Sequence, residues 1–176
     1  MVDRVDRERQ RDPAAVRINL TQARKEVEAL NEAARERVCE AGQLGENVTI
    51  DTERGSRQFA PGDRVMFLKN ERALGVKNGT IGTIETVNRA RMAVQLDDGR
   101  SVAFDVKDYS QVDHGYAATI HKAQGMTVER TYVLATPGMD SHADYVALSR
   151  HRAGVDLHYG QDDFADQGRL VRTLSR

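Results

Sequence analysis

Residues 116–152, YAATIHKAQGMTVERTYVLATPGMDSHADYVALSRHR, decide the fold class of this chain. The runs HGYAAT at 114–119 and TYVLAT at 131–136 are predicted to be strands, and a tight polar turn joins them. Residues 141–152 follow as a predicted helix with small apolar residues on one side, and VDLHYG at 155–160 predicts a third strand. This alternation of strand and helix favours an α/β domain with a parallel sheet.

A second strand–helix pattern lies near the amino terminus. VRINL at 16–20 predicts a strand, and the following Thr21 is a candidate N-cap. Apolar residues recur at intervals of three and four from Ala23 to Ala41, which is typical of one face of a helix, and Gly42 is expected to end that helix. VTIDT at 48–52 predicts a further strand.

The pattern changes at Pro61-Gly62, after which no helical period appears until Tyr109. Short alternating runs replace it: DRVMFL at 63–68, GTIETV at 82–87, RMAVQL at 91–96 and RSVAFD at 100–105. Turn residues separate these runs, and the Asp98-Gly99 pair is a strong hairpin signal. Several short strands of this kind suggest a small barrel, and the Pro-Gly-Asp entry resembles that of SH3-like barrels.

The chain is therefore predicted to be one α/β domain that a small barrel interrupts. The charged amino-terminal residues are expected to be a frayed tail or a cut helix, and 162–175 a last short helix. The predicted divisions are a tail at 1–15, a first α/β segment at 16–58, the barrel at 59–112 and a second α/β segment at 113–176.

The composition narrows the class of protein. The net charge of -1 means that a nucleic-acid site must come from local patches of charge. The single cysteine, Cys39, fits a reducing cytoplasm, and no apolar run approaches the roughly 20 residues of a membrane span. The histidines match no zinc spacing, and no serine nucleophile elbow is present, so neither a metal centre nor a serine hydrolase is predicted.

Polar side chains are concentrated in TIHKAQGMT at 119–127, where a predicted strand ends in a turn. Donors on such a turn suit phosphate oxygens or a nucleic-acid backbone. The candidates are Thr119, His121, Lys122, Gln124, Gly125 and Thr127. An ordinary polar turn that caps the sheet is the alternative.

A second candidate lies in YVALSRHR at 145–152. Arginine is suited to clamp a γ-phosphate because its planar guanidinium stays charged and donates two parallel hydrogen bonds. Arg150 is the candidate for this role, and Arg152 for a surface or DNA-backbone contact. The alternative for Arg150 is a cation that complements the dipole at the end of a helix.

These two segments resemble motifs V and VI of superfamily 1 DNA helicases, and most closely those of TraA-type conjugative relaxases. The resemblance extends over roughly residues 16–176. It implies the second RecA-like domain of a superfamily 1B, RecD-like helicase, in which an SH3-like barrel is inserted. The family also implies unwinding in the 5′-to-3′ direction.

The resemblance assigns roles to individual residues. Thr119, His121, Lys122 and Gln124 are implied to contact single-stranded DNA or to couple it to the ATP site, and Thr127 to cap the turn or touch a phosphate. Arg150 is implied to be the arginine finger. Two further residues are implied near the nucleotide, namely Gly125, which shapes the loop, and Arg24, at a position similar to motif IV. A solvated helix arginine is the alternative for Arg24.

The predicted barrel carries a strip of mostly basic residues, which are Lys69, Asn70, Arg72, Lys77 and Asn78. In the family this subdomain lies near the DNA path, and a solvated turn is the alternative. Aromatic residues are few, which argues against base stacking and against a groove for proline-rich peptides.

The sequence contains no GxxxxGK[ST] phosphate loop and no acidic pair placed to hold Mg²⁺. ATP and Mg²⁺ are therefore expected only together with a first RecA-like domain, which with a relaxase domain is an expected partner in a parent protein. The 176 residues alone are not expected to hydrolyse ATP. The alternative function is a stand-alone single-stranded-DNA-binding or adaptor module without ATPase activity.

Overall fold

A computed structural model of the chain describes residues 1–12, 15–123, 126, 128–137, 139, 151–159 and 167–174. In chain order its elements are α1 (Val2–Arg11), β1 (Arg17–Thr21), α2 (Arg24–Glu40), β2 (Val48–Thr52), β3 (Gly55–Phe59), β4 (Arg64–Phe67), β5 (Ile81–Val87), β6 (Arg91–Leu96), β7 (Ser101–Asp105), β8 (Val112–His114), β9 (Ala117–Thr119), β10 (Val128–Ala135), β11 (His151–Tyr159) and α3 (Gln167–Leu174).

The chain divides into two compact units. The first, here the parallel-sheet unit, comprises Met1–Ala34 together with Ala117–Arg176. The second, here the inserted unit, is Arg35–Tyr116 and lies in sequence between the two segments of the first. It begins earlier than the predicted barrel at 59–112, because β2 and β3 also belong to it.

The parallel-sheet unit is built on four strands in the order β11-β10-β1-β9, and all of the neighbouring pairs are parallel. Its strands bury a near-continuous set of side chains, as parallel sheets covered on both faces do, including Ile18, Leu20, Tyr132 and Val133. The predicted strands at 16–20, 131–136 and 155–160 are confirmed as parts of β1, β10 and β11.

Helix α2 confirms the helix predicted from the spacing of three and four, and Val27, Leu30, Ala34 and Val38 form its buried face. After the helix, Gly42 adopts a φ of 70° that residues other than glycine rarely tolerate, so the predicted end is confirmed. The predicted N-cap is wrong, because Thr21 is the last residue of β1 and its hydroxyl donates to the Glu26 carboxylate.

A helix rather than a frayed tail precedes β1. Contacts with distant strands stabilise α1: the Glu8 carboxylate accepts a hydrogen bond from the buried Tyr132 hydroxyl, and Arg4 pairs with Asp156 at 2.9 Å. The Arg17 guanidinium donates to the Glu8 carbonyl at 2.9 Å, which ties the end of the helix to the start of β1.

The inserted unit contains a five-stranded antiparallel sheet in the order β7-β6-β5-β4-β8, and a separate β2–β3 hairpin. The four alternating runs predicted between residues 63 and 105 are confirmed as β4 to β7. Gly99, with a φ of 92°, makes the predicted Asp-Gly turn between β6 and β7. One cluster of buried side chains includes residues from both the sheet and the hairpin, among them Ile50, Phe59, Phe67, Met92 and Phe104.

Two predicted elements are wrong in their bounds. The single strand predicted at 114–119 is two strands, β8 and β9, which lie in different sheets. Gly115 separates them, and a Cβ there would lie 2.9 Å from the Val65 carbonyl carbon. The helix predicted at 141–152 cannot extend to its last two residues, because His151 and Arg152 start β11, where His151 pairs with Val128. The rest of that prediction lies outside the described residues.

The last predicted helix, at 162–175, is represented by α3. Within the described ranges, no helix has both the length and the apolar character needed to cross a bilayer.

Candidate functional site

The carboxyl ends of the parallel strands form the edge where the predicted motif lies. β9 ends at Thr119 and β1 ends at Thr21, and these two residues are paired in register. Because all four strands are parallel, β10 and β11 also end at this edge. In open α/β sheets ligands bind outside this edge, since strand-to-helix loops converge there. The structure therefore places the start of the 119–127 candidate segment at a position suited to ligand contact.

The turn after β9 is held by main-chain hydrogen bonds. The Ile120 amide donates to the Thr21 carbonyl at 2.9 Å, which continues the β1–β9 pairing by one step. The Ala123 amide donates to the carbonyls of Thr119 at 3.2 Å and Ile120 at 3.1 Å. The Lys122 amide donates to the Thr119 hydroxyl oxygen at 3.2 Å. Residues 120–123, here the β9 turn, therefore have a defined backbone conformation.

The side chains of the β9 turn differ in exposure. His121 is exposed, Lys122 and Thr119 are half-buried, and Ile120 and Ala123 are buried. The buried pair anchors the turn, because its apolar side chains are withdrawn from water. Two groups that can donate to phosphate oxygens, an imidazole and an ammonium, are thereby carried by adjacent residues of an anchored turn.

Arg24 lies three residues after Thr21, as the first residue of α2, and is exposed. Its position at a helix start near the carboxyl edge is the one that the sequence predicted. Arg24 follows β1 and the β9 turn follows β9. Because β1 and β9 are neighbouring strands, both segments lie at the same edge of the sheet.

Several candidates fall outside the described part of the chain. Gln124, Gly125, Thr127 and Arg150 are not among the described residues. Arg152 is described only in its backbone, as the second residue of β11. Their roles remain predictions.

Two polar residues near this edge have contacts that the sequence did not predict. The fully buried Thr21 donates through its hydroxyl to Glu26 in the first turn of α2. Asn31 is buried on α2, and its Oδ1 accepts a hydrogen bond from the Ala117 amide at 2.8 Å. For Asn31 a signal was present, because a polar residue on the buried face of an amphipathic helix needs a partner.

Within the same unit, the contact between α1 and the sheet is ionic. The bond from the Tyr132 hydroxyl is the main cause that lowers the pKa of Glu8, and Arg4 and Arg130 lower it further. Burial and the same carboxylate raise the pKa of Tyr132 to about 12. The pair is therefore a neutral phenol that donates to an ionised carboxylate over the whole physiological pH range.

The basic strip predicted in the inserted unit lies in the connection between β4 and β5. Lys69, Arg72 and Lys77 are exposed, and the ion pairs found in the described part of the chain do not involve them. The loop is ordered from within: the Tyr109 hydroxyl donates to the Lys69 carbonyl at 2.6 Å, and the Asn70 side chain accepts from the Asn78 amide at 2.7 Å. Burial raises the pKa of the Tyr109 phenol.

The inserted unit also contains a cleft of about 770 Å³. Its lining mixes Arg89 and Lys107 with Asp51 and Asp105, so that opposite charges are present in equal number. Asp105 is paired with Arg91 at 3.0 Å. None of the predicted site residues lines this cleft.

Sequence comparison relates the chain to conjugation proteins. It is 45% identical over 174 residues to the conjugal transfer protein TraA of Agrobacterium fabrum, a match that covers 97% of this chain and 16% of that protein. The chain is homologous to a segment of TraA-type conjugal transfer proteins. It spans about one sixth of the length of that relative. The TraA-type resemblance predicted from the two motif segments is thereby confirmed.

Helicases are also similar to this TraA-type segment. The ATP-dependent DNA helicase Pif1 of Bdellovibrio bacteriovorus is 34% identical over 112 residues, which cover 55% of this chain and 26% of that protein. No protein-family model matches the chain.

Among solved structures, Bacteroides Pif1 helicase in complex with ADP-AlF3 and single-stranded DNA superposes with a TM-score of 0.61 at 22% identity. The superposition covers 89% of this chain and 44% of that one, and it shows the fold. The parallel sheet with its helices fits a RecA-like domain, and the predicted C-terminal part of a superfamily 1B helicase domain is supported.

Proposed function

We propose that this chain is the second motor domain of an ATP-dependent DNA helicase of the conjugative relaxase type. The observation that carries the proposal is the β9 turn, which brings His121 and Lys122 to the carboxyl edge of a RecA-like parallel sheet. The TraA-type and Pif1 relatives support the helicase class.

The β9 turn is proposed to contact the backbone of single-stranded DNA. Lys122 supplies a fixed positive charge, His121 a ring that can donate to a phosphate oxygen, and Thr119 a hydroxyl at the base of the turn. Gln124, Thr127 and Arg152 are proposed to extend this contact. A Pif1 structure solved with single-stranded DNA supports the assignment by fold.

The nucleotide is proposed to be bound by a first RecA-like domain, which would supply the phosphate loop and the Mg²⁺ ligands. Arg150 would then approach the γ-phosphate as the arginine finger, with Arg24 and Gly125 near the nucleotide. A relaxase domain in the same parent protein is the further proposed partner. The antiparallel sheet and hairpin of the inserted unit are proposed to be the SH3-like barrel.

A titration of the chain with a fluorescent oligonucleotide tests the DNA contact. Fluorescence anisotropy should show tighter binding to single-stranded than to duplex DNA, and Lys122→Ala should lower the slope of log affinity against log salt by about 0.7. Lys107→Ala, which changes an exposed lysine of the inserted unit, is the matched control and should leave the slope unchanged. Equal binding to both forms of DNA, or equal slopes in the two variants, would reject the contact.

The motor role is tested in a two-domain protein that joins the first RecA-like domain of a TraA relative to this chain. DNA should stimulate its ATP hydrolysis, and Arg150→Lys should abolish turnover while DNA binding is preserved, because a lysine cannot make the paired bonds of the guanidinium. Arg172→Lys, at an exposed arginine of α3, is the control and should leave turnover unchanged. If no DNA-stimulated hydrolysis appears, the adaptor without ATPase activity is the better description.

A further inference from the structure

A buried amide on α2 holds the strand that leads into the β9 turn. Asn31 is 6% exposed, and its Oδ1 accepts the hydrogen bond of the Ala117 amide at 2.8 Å while its Nδ2 lies 3.5 Å from the Ala117 carbonyl oxygen. One side-chain amide therefore faces both polar groups of a single residue. Ala117 is itself 2% exposed, so water does not satisfy these groups.

The position of Ala117 explains why such a partner is required. Among the described strands, β9 is the terminal strand of its sheet, with β1 on its inner side. An edge strand presents N–H and C=O groups that no neighbouring strand satisfies. On the inner side, the Ile120 amide continues the pairing to Thr21. The Asn31 amide has the donor and acceptor of a peptide group, so on the outer side it takes the place of a further strand.

Apolar packing also connects α2 to β9, but it cannot satisfy the N–H and C=O groups of Ala117. Val27, Leu30 and Ala117 form one buried cluster. Contacts of this kind are non-directional, so they allow a short strand to slide or rotate. The hydrogen bonds of Asn31 are directional, so on the side of β9 that faces away from β1 they restrict its rotation and support the register set by β1.

We propose that Asn31 is a positioning residue that sets the geometry of the β9 turn for DNA contact. Ala117 lies two residues before Thr119, whose hydroxyl and carbonyl hold the Lys122 and Ala123 amides. A shift of β9 is therefore transmitted to the residues that carry the imidazole and the ammonium group. The inference rests on the proposed contact between this turn and single-stranded DNA.

A double-mutant cycle with Asn31→Leu and Lys122→Ala tests the proposal in the 176-residue chain. Leucine has the same branching at Cγ but no hydrogen-bonding group. We expect Asn31→Leu to weaken binding of a single-stranded oligonucleotide about tenfold in the presence of Lys122, and less than about twofold when Lys122 is already alanine. Full additivity of the two losses would overturn the positioning role.

Val27→Ala is the matched control for a general loss of stability. Val27 is buried in the same cluster on the same helix, so its truncation weakens packing against Ala117 without removing the amide. At equal stability, measured by urea unfolding, Val27→Ala should bind the oligonucleotide like the unchanged chain. An equal loss of affinity in both variants would show that Asn31 acts through stability alone, and would overturn the proposal.

A measurement on the unchanged chain covers the case in which Asn31→Leu does not fold. If Asn31 links β9 to the turn, saturation with the oligonucleotide must slow hydrogen exchange of the Ala117 amide together with that of the turn amides, since coupling is reciprocal. Protection of the turn amides without protection of Ala117 would overturn the positioning role but leave the DNA contact intact. If Lys122→Ala and His121→Ala both bind like the unchanged chain, the proposed DNA contact fails, and the positioning role fails with it.

Discussion

The two units of the chain use buried polar groups in different ways. In the parallel-sheet unit, the buried Thr21 ends β1 and bonds to Glu26 of α2, and the buried Asn31 bonds to Ala117, the first residue of β9. In the inserted unit, the buried Asp63 instead joins the unit's own two ends. It accepts hydrogen bonds from Arg35, the first residue of the unit, and from Tyr116, the last.

Both units bury apolar side chains, which in the parallel-sheet unit include Ile18, Leu20 and Val133. The inserted unit has one large cluster in which the rings of Phe67, Phe104 and Tyr109 lie 5.5 to 5.7 Å apart. The described cluster around α2 in the parallel-sheet unit contains Val27, Leu30 and Ala117. In the inserted unit, the core and the hydrogen bonds of Asp63 to both ends favour a unit that keeps its shape independently. In the parallel-sheet unit, Thr21 and Asn31 bond to elements that lead to the proposed DNA-contacting edge.

The largest expected effect comes from the aromatic core of the inserted unit. Phe67→Ala removes a fully buried ring and should lower the free energy of unfolding by roughly 4 kcal/mol, because a cavity remains. Urea unfolding measures the loss, and hydrogen exchange locates it. If the inserted unit keeps its shape independently, the amides of β10 should keep their protection. Equal loss of protection in both sheets would show that the two units unfold together.

The hydrogen bonds that Asp63 accepts from Arg35 and Tyr116 should give the next largest effect. Asp63→Asn removes the charge that pairs with Arg35, and we expect a loss of about 3 kcal/mol. The guanidinium stays largely buried but loses its anionic partner, and it keeps the neutral Asn47 side-chain oxygen at 2.6 Å as an acceptor. Asp97→Asn is the matched control, since Arg64 pairs with Asp97 through two bonds of 2.7 and 2.6 Å.

The two pairs differ mainly in burial. The side-chain exposures are 14% and 0% for Arg35 and Asp63, but 19% and 27% for Arg64 and Asp97. The control should therefore lose less than about 1 kcal/mol in the same urea unfolding measurement. Similar losses in both variants would show that burial of the Arg35–Asp63 pair does not increase its contribution to the free energy of unfolding.

In the parallel-sheet unit, Tyr132→Phe should have a smaller effect. The hydroxyl donates to the Glu8 carboxylate, and its loss should cost about 1.5 kcal/mol at neutral pH. Because the pKa of Glu8 is lowered in the folded state, the bond stabilises the fold above the ordinary glutamate pKa and is lost as the pH falls through the folded value.

The raised pKa of Tyr132 predicts a second limit to the stability from this bond, at high pH. Stability from the neutral phenol is complete below the ordinary tyrosine pKa and is lost as the pH rises towards about 12. The difference in urea midpoint between Tyr132→Phe and the unchanged chain should therefore be greatest between these limits and should shrink at both. If the difference in urea midpoint does not depend on pH, Glu8 is not the hydrogen-bond partner through which Tyr132 anchors α1.

Elements with a strong local period could be predicted from the sequence. Helix α2 has an apolar residue at every third or fourth position, and its buried residues follow that spacing. In β6 buried residues alternate with less buried ones, as the alternating run at 91–96 predicts. The turn at 119–123 was placed correctly at a strand end because polar residues follow an apolar run.

Elements that depend on distant contacts could not be predicted in this way. Helix α1 has no fully buried residue, and its anchor on Tyr132 lies 124 residues away in sequence. Strand β3 buries only Phe59, so GSRQF shows no alternation. The break between β8 and β9 depends on the close approach of Gly115 to the Val65 backbone, which no local pattern reveals.

The smallest expected effect is a titration in the inserted unit. Burial lowers the pKa of His114, and the bond from its Nε2 to the Gln58 carbonyl and the nearby Asp63 and Asp113 only partly oppose this. The folded chain therefore binds fewer protons than the unfolded chain just below the ordinary histidine pKa of about 6.5. Stability from His114 is complete above that pH and is lost as the pH falls.

His114→Gln should flatten the decline of unfolding free energy below pH 6.5, since glutamine can still donate to the carbonyl but does not titrate. His158→Gln provides the same test in the parallel-sheet unit, where burial and the nearby amino terminus also lower the histidine pKa. With two separate units, urea unfolding followed by hydrogen exchange should place the His114 effect in β4 and β8 and the His158 effect in β10 and β11. If each substitution changed the pH dependence of both sheets, the two units would unfold as one, and the inserted unit would not keep its shape independently.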